Sequence, residues 1–296
     1  MKKLLSLLAI GAVLSMLSCG EDVERALNEE QEAAVNDQSQ TEAYFNEAGD
    51  MSTAAYDAPT QQERSGGRSN GEITVTVEGD TRFNGATVTL VTDPTSTPQV
   101  PIGLITIDFG TGQTDPKGVV RSGKILVAYV GVGFQLNSTR TITFDNYKVN
   151  GVKIEGTRTI VSTNFTLSTV ISASFTVTDV NGKATFEDGT TITRNATHTH
   201  VLSYVIGGGA DMTTWTVTGQ AGGKTRGGVD YAFVINRSMV YRLDCALGGI
   251  ALPAEGEALF TYGTTVINLN FGAAGAGCDR TVGVSVGGAS QEITIG

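Results

Sequence analysis

The sequence predicts an all-β protein: an antiparallel hairpin meander, arranged as a sandwich or as an extended, partly rolled sheet, after a short, partly helical N-terminal tether. Three observations point there. Apolar and β-branched residues alternate with period two in Glu72–Val77, Lys124–Val130, Val170–Val177 and Val266–Phe271, the pattern of strands with one buried face. The pairs Asn150-Gly151, Asn181-Gly182, Asp188-Gly189 and Gly287-Gly288 supply the positive φ angles of tight hairpin turns, so the strands they join are antiparallel. No stretch after residue 71 carries a sustained helical stripe, which argues against folds built on buried parallel strands.

Residues 1–18 read as a lipoprotein signal peptide. Lys2 and Lys3 precede an apolar run, Leu4 to Leu17, that is too short to span a bilayer, and Leu17-Ser18-Cys19 follows. A cysteine at that place matches a bacterial lipobox, and Cys19 is the expected lipidation site. Several acyl chains at roughly 0.8 kcal/mol per buried CH2 make such an anchor effectively permanent. No later segment has 18 consecutive apolar residues.

Residues 19–71 read as an acidic tether. The net charge of −10 found in 20–64 contrasts with −2 in 65–296. Val23, Ala26, Leu27, Ala33 and Ala34, and then Ala43, Tyr44, Ala48, Met51 and Ala55 around Gly49, fall at roughly helical spacing and predict one or two short helices. The Gly-, Ser- and Pro-containing run from Asp57 to Gly71 predicts a linker. A wholly flexible tether of this length reaches about 40 Å and lets the domain stand clear of the lipid surface.

Residues 72–296 form the expected β domain, with a sub-division near 165–182 as an option. Around Asn150-Gly151, Val149 opposes Val152 and Tyr147 opposes Ile154, whereas Ile142 and Phe144 upstream are in the opposite phase. A bulge near Asp145-Asn146 corrects the phase.

Ile105-Thr-Ile-Asp-Phe-Gly110 is echoed by Ile267-Asn-Leu-Asn-Phe-Gly272. This pair, the turn Asp115-Pro-Lys-Gly118, the stretch from Phe144 to Thr159 and the lipobox together resemble a group of uncharacterised predicted lipoproteins of Bacteroidota, over most of 72–296. Its members usually carry a cysteine where this chain has Gln113, so the group's cysteine pairing does not carry over whole. The resemblance implies an all-β, envelope-facing lipoprotein and no catalytic residues.

A net charge of −10 over 296 residues argues against a nucleic-acid partner, because phosphate binding needs a basic face. Two histidines exclude a His-rich metal centre. His198-Thr-His200 places two imidazoles on one face of a strand and is a weak metal candidate; without a third ligand nearby, the string reads as decoration of an exposed strand face. Cys245 and Cys278 lie past the export signal and are a candidate disulfide pair, the alternative being two free thiols.

Gly283-Val-Ser-Val-Gly287 matches the G-x-S-x-G elbow, but a strand is expected after it and both histidines precede Ser285. Asp108 to Asp115 offers oxygens for a calcium ion, although turn formation alone explains its Gly and Asp. Tyr129, Tyr147, Tyr204, Trp215, Tyr231 and Tyr241 are candidates for a sugar-stacking platform.

The expectation is a non-enzymatic lipoprotein of the outer membrane, with no cofactor, displaying its domain at the cell surface for binding, adhesion or envelope assembly. Its partners are the membrane, through the anchor, and a glycan or protein. The alternative is a surface glycan-binding accessory lipoprotein.

Overall fold

The computed structural model describes residues 26–66, 71–248, 250 and 252–295. The signal peptide and Cys19 lie outside the described residues. Helix α1 (Glu29–Asp57) and the single turn α2 (Gln61–Arg64) precede the sheet, and α3 (Leu243–Leu247) interrupts it. The first strands are β1 (Ile73–Val75), β2 (Thr87–Thr92), β3 (Ile102–Asp108), β4 (Gln113–Thr114) and β5 (Val120–Val130). The central strands are long: β6 (Thr139–Val149), β7 (Val152–Leu167), β8 (Val170–Thr185), β9 (Thr191–Val205), β10 (Thr214–Lys224) and β11 (Asp230–Arg242). The last are β12 (Glu255–Tyr262), β13 (Thr265–Asn270), β14 (Thr281–Val286) and β15 (Ala289–Thr294).

All fifteen strands belong to one sheet, and each pairs antiparallel with its sequence neighbour except that β3 pairs with β5, with β4 attached to β5 alone. This is the expected all-β meander. The hairpin at Asn150-Gly151 has both residues at positive φ, 48° and 81°, and Val149 faces Val152. The expected bulge is there as well: pairing slips between Thr143 and Lys148, with Asn146 at φ 49°. It lets both Ile142 and Tyr147 be buried.

Asn181-Gly182 differs from expectation. It lies inside β8 as a bulge, where pairing slips between Asp179 and Gly182 and Asn181 takes φ 52°. A left-handed Asn before Gly suits a bulge as well as a turn, and Asp188-Gly189 closes the hairpin instead. The β7–β8 pairing runs from Lys153↔Thr185 to Leu167↔Ile171, so the sheet continues through 165–182.

Register slips recur in every pairing from β5–β6 to β11–β12 except β9–β10. Each bulge bends its strand and adds twist, which curls the sheet. At Gly123 and Gly219, φ is 75° and 124°, and a Cβ at either would collide with the neighbouring strand's backbone.

Residues 29–57 form one continuous helix packed on the sheet rather than short helices in a spacer. It starts at a capping box, in which Asn28 Oδ1 accepts from the Gln31 amide at 2.9 Å and Gln31 Oε1 accepts from the Asn28 amide at 3.1 Å. Glu29, Glu30 and Glu32 in the first turn favour the positive end of the helix dipole.

Its sheet-facing side mixes Val35, Phe45, Met51 and Tyr56 with buried Gln38, Thr41 and Ser52, so no plain apolar stripe marks it in the sequence. At about 1.5 Å per residue, 29 residues span roughly 43 Å, or about nine strands at 4.8 Å spacing. Its contacts accordingly step across the sheet: Glu30 reaches Tyr262 on β12, Glu42 reaches Arg194 on β9, Asn46 reaches Arg158 on β7, and Tyr56 reaches Gly131 just after β5. Gly49 lies against the Arg158 guanidinium, where a Cβ would stand 3.3 Å from its terminal nitrogen. No helix among the described residues is long and apolar enough to cross a membrane.

Candidate functional site

The inner face of the central strands carries charge where alternation alone would place oil. On β9, Ile192, Arg194, Ala196 and His198 point inward and are buried, while Asn195, Thr197 and Thr199 face water. A buried cation needs a partner, and two sources provide it. Asp179 on β8 holds Arg158 at 2.7 Å and Arg194 at 2.9 Å. Helix α1 supplies the rest: Glu42 to Arg194 at 3.4 Å and Glu47 to Arg121, which also binds Asp115 at 2.8 Å.

Burial, the largest single influence, raises the Glu42 carboxyl, but Arg194, His198, the Gln38 side-chain hydrogen bond and Arg158 together outweigh it and bring the group down to about 2. Burial likewise works against the Asp179 carboxylate, and Arg158 and Arg194 hold it below the ordinary range.

Between the first half of α1 and the upper ends of β11, β13 and β15 lies a cavity of about 450 Å³. Its helix side is mostly polar, with Asn36, Gln40 and Glu42, and its sheet side is mostly apolar, with Phe233, Met239 and Phe271, next to Arg280 and Thr294. Tyr241 also lines it; the hydroxyl reaches only the Met239 sulfur, at 3.9 Å. The volume lies within the usual 300–1,000 Å³ of small-molecule sites. A second trough, of about 680 Å³, runs along β12–β15 and is lined by Asn236, Glu257, Asn268, Asn270, Ser290 and Glu292 among others.

The sequence-predicted sites fare differently. His198 is buried rather than exposed, its Nδ1 3.6 Å from Glu42 Oε1, and the His200 ring lies 6.1 Å away. The expectation of a decorated outer face fails because His198 falls on the inward phase of β9. Burial lowers both imidazoles, that of His200 to about 3, and so keeps them neutral. They belong to no cluster of three metal-ligating side chains among the described residues.

Cys245 and Cys278 are joined, S–S 2.02 Å, tying α3 to the β13–β14 loop. Asp244 stands beside them and is held by Arg242; with both sulfurs in the bond, the three offer no thiolate to a metal. The candidate calcium loop has its carboxylates engaged by the protein itself. Asp108 binds Lys124 and the Gly110 amide, while Asp115 binds Arg121 and the amides of Lys117 and Val119.

Ser285 sits within β14, and Gly287-Gly288 turns into β15, so the strand-to-helix context of a nucleophile elbow is missing. The aromatic platform does not assemble: Tyr129, Tyr147 and Tyr231 are core residues, and Tyr204 alone of the six is exposed.

Sequence reasoning missed the Arg158–Asp179–Arg194 network and its helix partners. The one available signal was that the acidity is concentrated in 20–64, opposite a domain whose strands carry inward arginines. No family model matches the chain, and neither the curated proteins nor the solved structures contain one similar to it.

Proposed function

We propose that this is a non-enzymatic lipoprotein of the outer membrane, anchored through Cys19, whose sheet-and-helix body holds a small amphipathic ligand beneath α1. The cavity carries this reading. A polar helix edge facing a mainly apolar sheet wall with Arg280 at its margin suits a molecule with an apolar body and a polar end. The lipobox motif supports the anchor, and the helix revises its geometry: with residues 29–57 inside the folded body, only Glu21-Asp-Val-Glu-Arg25 and Gly20 separate Cys19 from Ala26. At about 3.6 Å per residue that is a reach of at most roughly 25 Å, so the body stays close to the lipid.

Two measurements test this. The neutral apolar dye N-phenyl-1-naphthylamine is expected to bind one to one with a rise in fluorescence, and Ala43→Trp, on the exposed helix side of the cavity, is expected to abolish it. Dye binding that survives Ala43→Trp places the ligand elsewhere. Protease shaving of intact cells, with a Cys19→Ser control, tests anchoring and display; protection until the outer membrane is opened turns the reading to the periplasmic side.

The outer trough favours a second reading, as a glycan-binding accessory. Asn236, Asn268 and Asn270 beside Glu257 and Glu292 match the hydrogen-bonding demand of sugar hydroxyls. Oligosaccharide binding lost in Asn268→Ala, with dye binding intact, selects it over the first.

A further inference from the structure

The two ends of the sheet differ in chemistry. Because every strand from β5 onward pairs antiparallel with the next, the loops after β5, β7 and β9 share one end and the loops after β6, β8 and β10 share the other. At the first end, the three loops 131–138, 165–171 and 204–213 hold a single charged side chain, Asp211, among 25 residues, whereas the β11–β12 and β13–β14 connections beside them carry Arg242, Asp244, Asp279 and Arg280. At the second, residues 145–153, 183–190 and 224–230 hold nine among 24. The charge-poor end exposes large apolar side chains: Leu136 is 65% exposed, Leu167 69%, Ile206 57% and Met212 51%, with Phe134 and Phe165 stacked at 5.8 Å between them.

The β5–β6 loop at this end is anchored by hydrogen bonds. The Tyr56 hydroxyl donates to the Gly131 carbonyl at 2.8 Å and accepts from the Gly133 amide at 3.0 Å. The Ser162 hydroxyl donates to the Phe134 carbonyl at 2.9 Å, and the Asn137 amide donates to the Ser162 carbonyl at 2.8 Å. A contiguous apolar patch on an otherwise well-packed body marks an interaction surface.

We propose that this apolar end dips into the surface of a lipid bilayer. Protein interfaces carry a polar rim with hydrogen-bonding groups, whereas the three loop tips 131–138, 165–171 and 204–213 present Phe, Leu, Ile and Met with Asp211 as their one charge, so shallow entry of these tips into the headgroup–acyl boundary desolvates no ion pair within them, while the neighbouring Arg242–Asp244 pair lies at the flank. The short chain between Cys19 and Ala26 adds a constraint, which rests on the anchoring proposed above: some face of the body must lie against the membrane. The opposite end, with its lysines, arginines and carboxylates, is the one suited to water.

The test uses the mature acylated protein in phosphatidylcholine vesicles whose acyl chains carry bromine close to the headgroup. The single tryptophan, Trp215, is replaced by Phe, and an indole is introduced either by Leu167→Trp at the apolar end or by Thr264→Trp in the exposed β12–β13 turn at the other end. Both sites are exposed, so neither change disturbs the core. Insertion to about 5–10 Å predicts that emission from position 167 falls by about half or more while that from position 264 is unchanged. Flotation with the vesicles but no quenching at position 167 overturns the proposal and assigns the patch to a protein partner. Equal quenching at both positions overturns the orientation, and failure of the acylated protein to float overturns both the insertion and the anchor.

Discussion

Arg158 and Asp179 face each other across β7 and β8 with Nε and Oδ1 2.7 Å apart, and neither side chain reaches water. Arg194 meets the other carboxylate oxygen at 2.9 Å, so one buried anion serves two buried cations. Asp179→Asn leaves Arg158 without a carboxylate and Arg194 with Glu42 alone, and is expected to lower the unfolding free energy by about 3–5 kcal/mol. Urea unfolding measures it; an unchanged midpoint would mean that water reaches the arginines.

Phe45 tests whether α1 is core or spacer. Its ring is fully buried, 5.8 Å from Phe144, with the Arg158 and Arg194 guanidiniums each 5.8 Å from its centre. Phe45→Ala is expected to destabilise the whole sheet by about 3–5 kcal/mol in a single cooperative transition. A residue in a flexible tether would leave the transition untouched.

Stability is expected to fall with acid from a known side. His198 and His200 are held neutral in the folded chain, His200 down to about 3, whereas in the unfolded chain they take up protons near 6.5. The unfolded state therefore binds more protons below pH 6.5, and stability declines as pH drops from 6.5 toward 3. Glu42, down at about 2 when folded against 4.5 when free, adds to the loss below pH 4.5. His200→Gln is expected to flatten the decline between pH 6.5 and 4.5 by about 1–3 kcal/mol. Parallel curves for the two proteins would show that His200 is already protonated in the fold.

The Cys245–Cys278 bond closes a loop across a sequence separation of 33. By the chain-entropy relation it stabilises by about 4 kcal/mol. Cys245→Ala with Cys278→Ala, compared with the oxidised protein, measures this, and thiol labelling of the unfolded protein is expected to find neither sulfur reactive.

Much of the sheet was legible because its determinants are local. Period-two alternation identifies strands such as β5 and β13 one at a time, and the Asn150-Gly151 turn sets its own register through two positive φ angles. The echo at 105–110 and 267–272 also has a local cause: Asp108 Oδ1 accepts from the Gly110 amide at 2.8 Å and Asn270 Oδ1 from the Gly272 amide at 2.9 Å, closing the same turn beside a buried phenylalanine.

The candidate site was legible only in fragments. Alternation by hydropathy puts Arg194 and His198 outside, since a charged or titratable group is costly to bury alone. They are inside because carboxylates arrive from elsewhere: Asp179 from the adjacent strand and Glu42 from a helix 152 positions earlier in the chain than Arg194. Asn181-Gly182 failed for a related reason, as a left-handed pair specifies a backbone bend but not whether the strand ends there.

The sequence by itself determined an antiparallel meander, its main turns and the location of its acidity. Only the tertiary structure decided that the acidic helix lies across the sheet, that the arginines turn inward to meet it, and that three apolar loop tips gather at one end. Turns and alternation are settled by neighbouring residues, whereas the burial of a charge depends on partners that only the folded chain brings within reach.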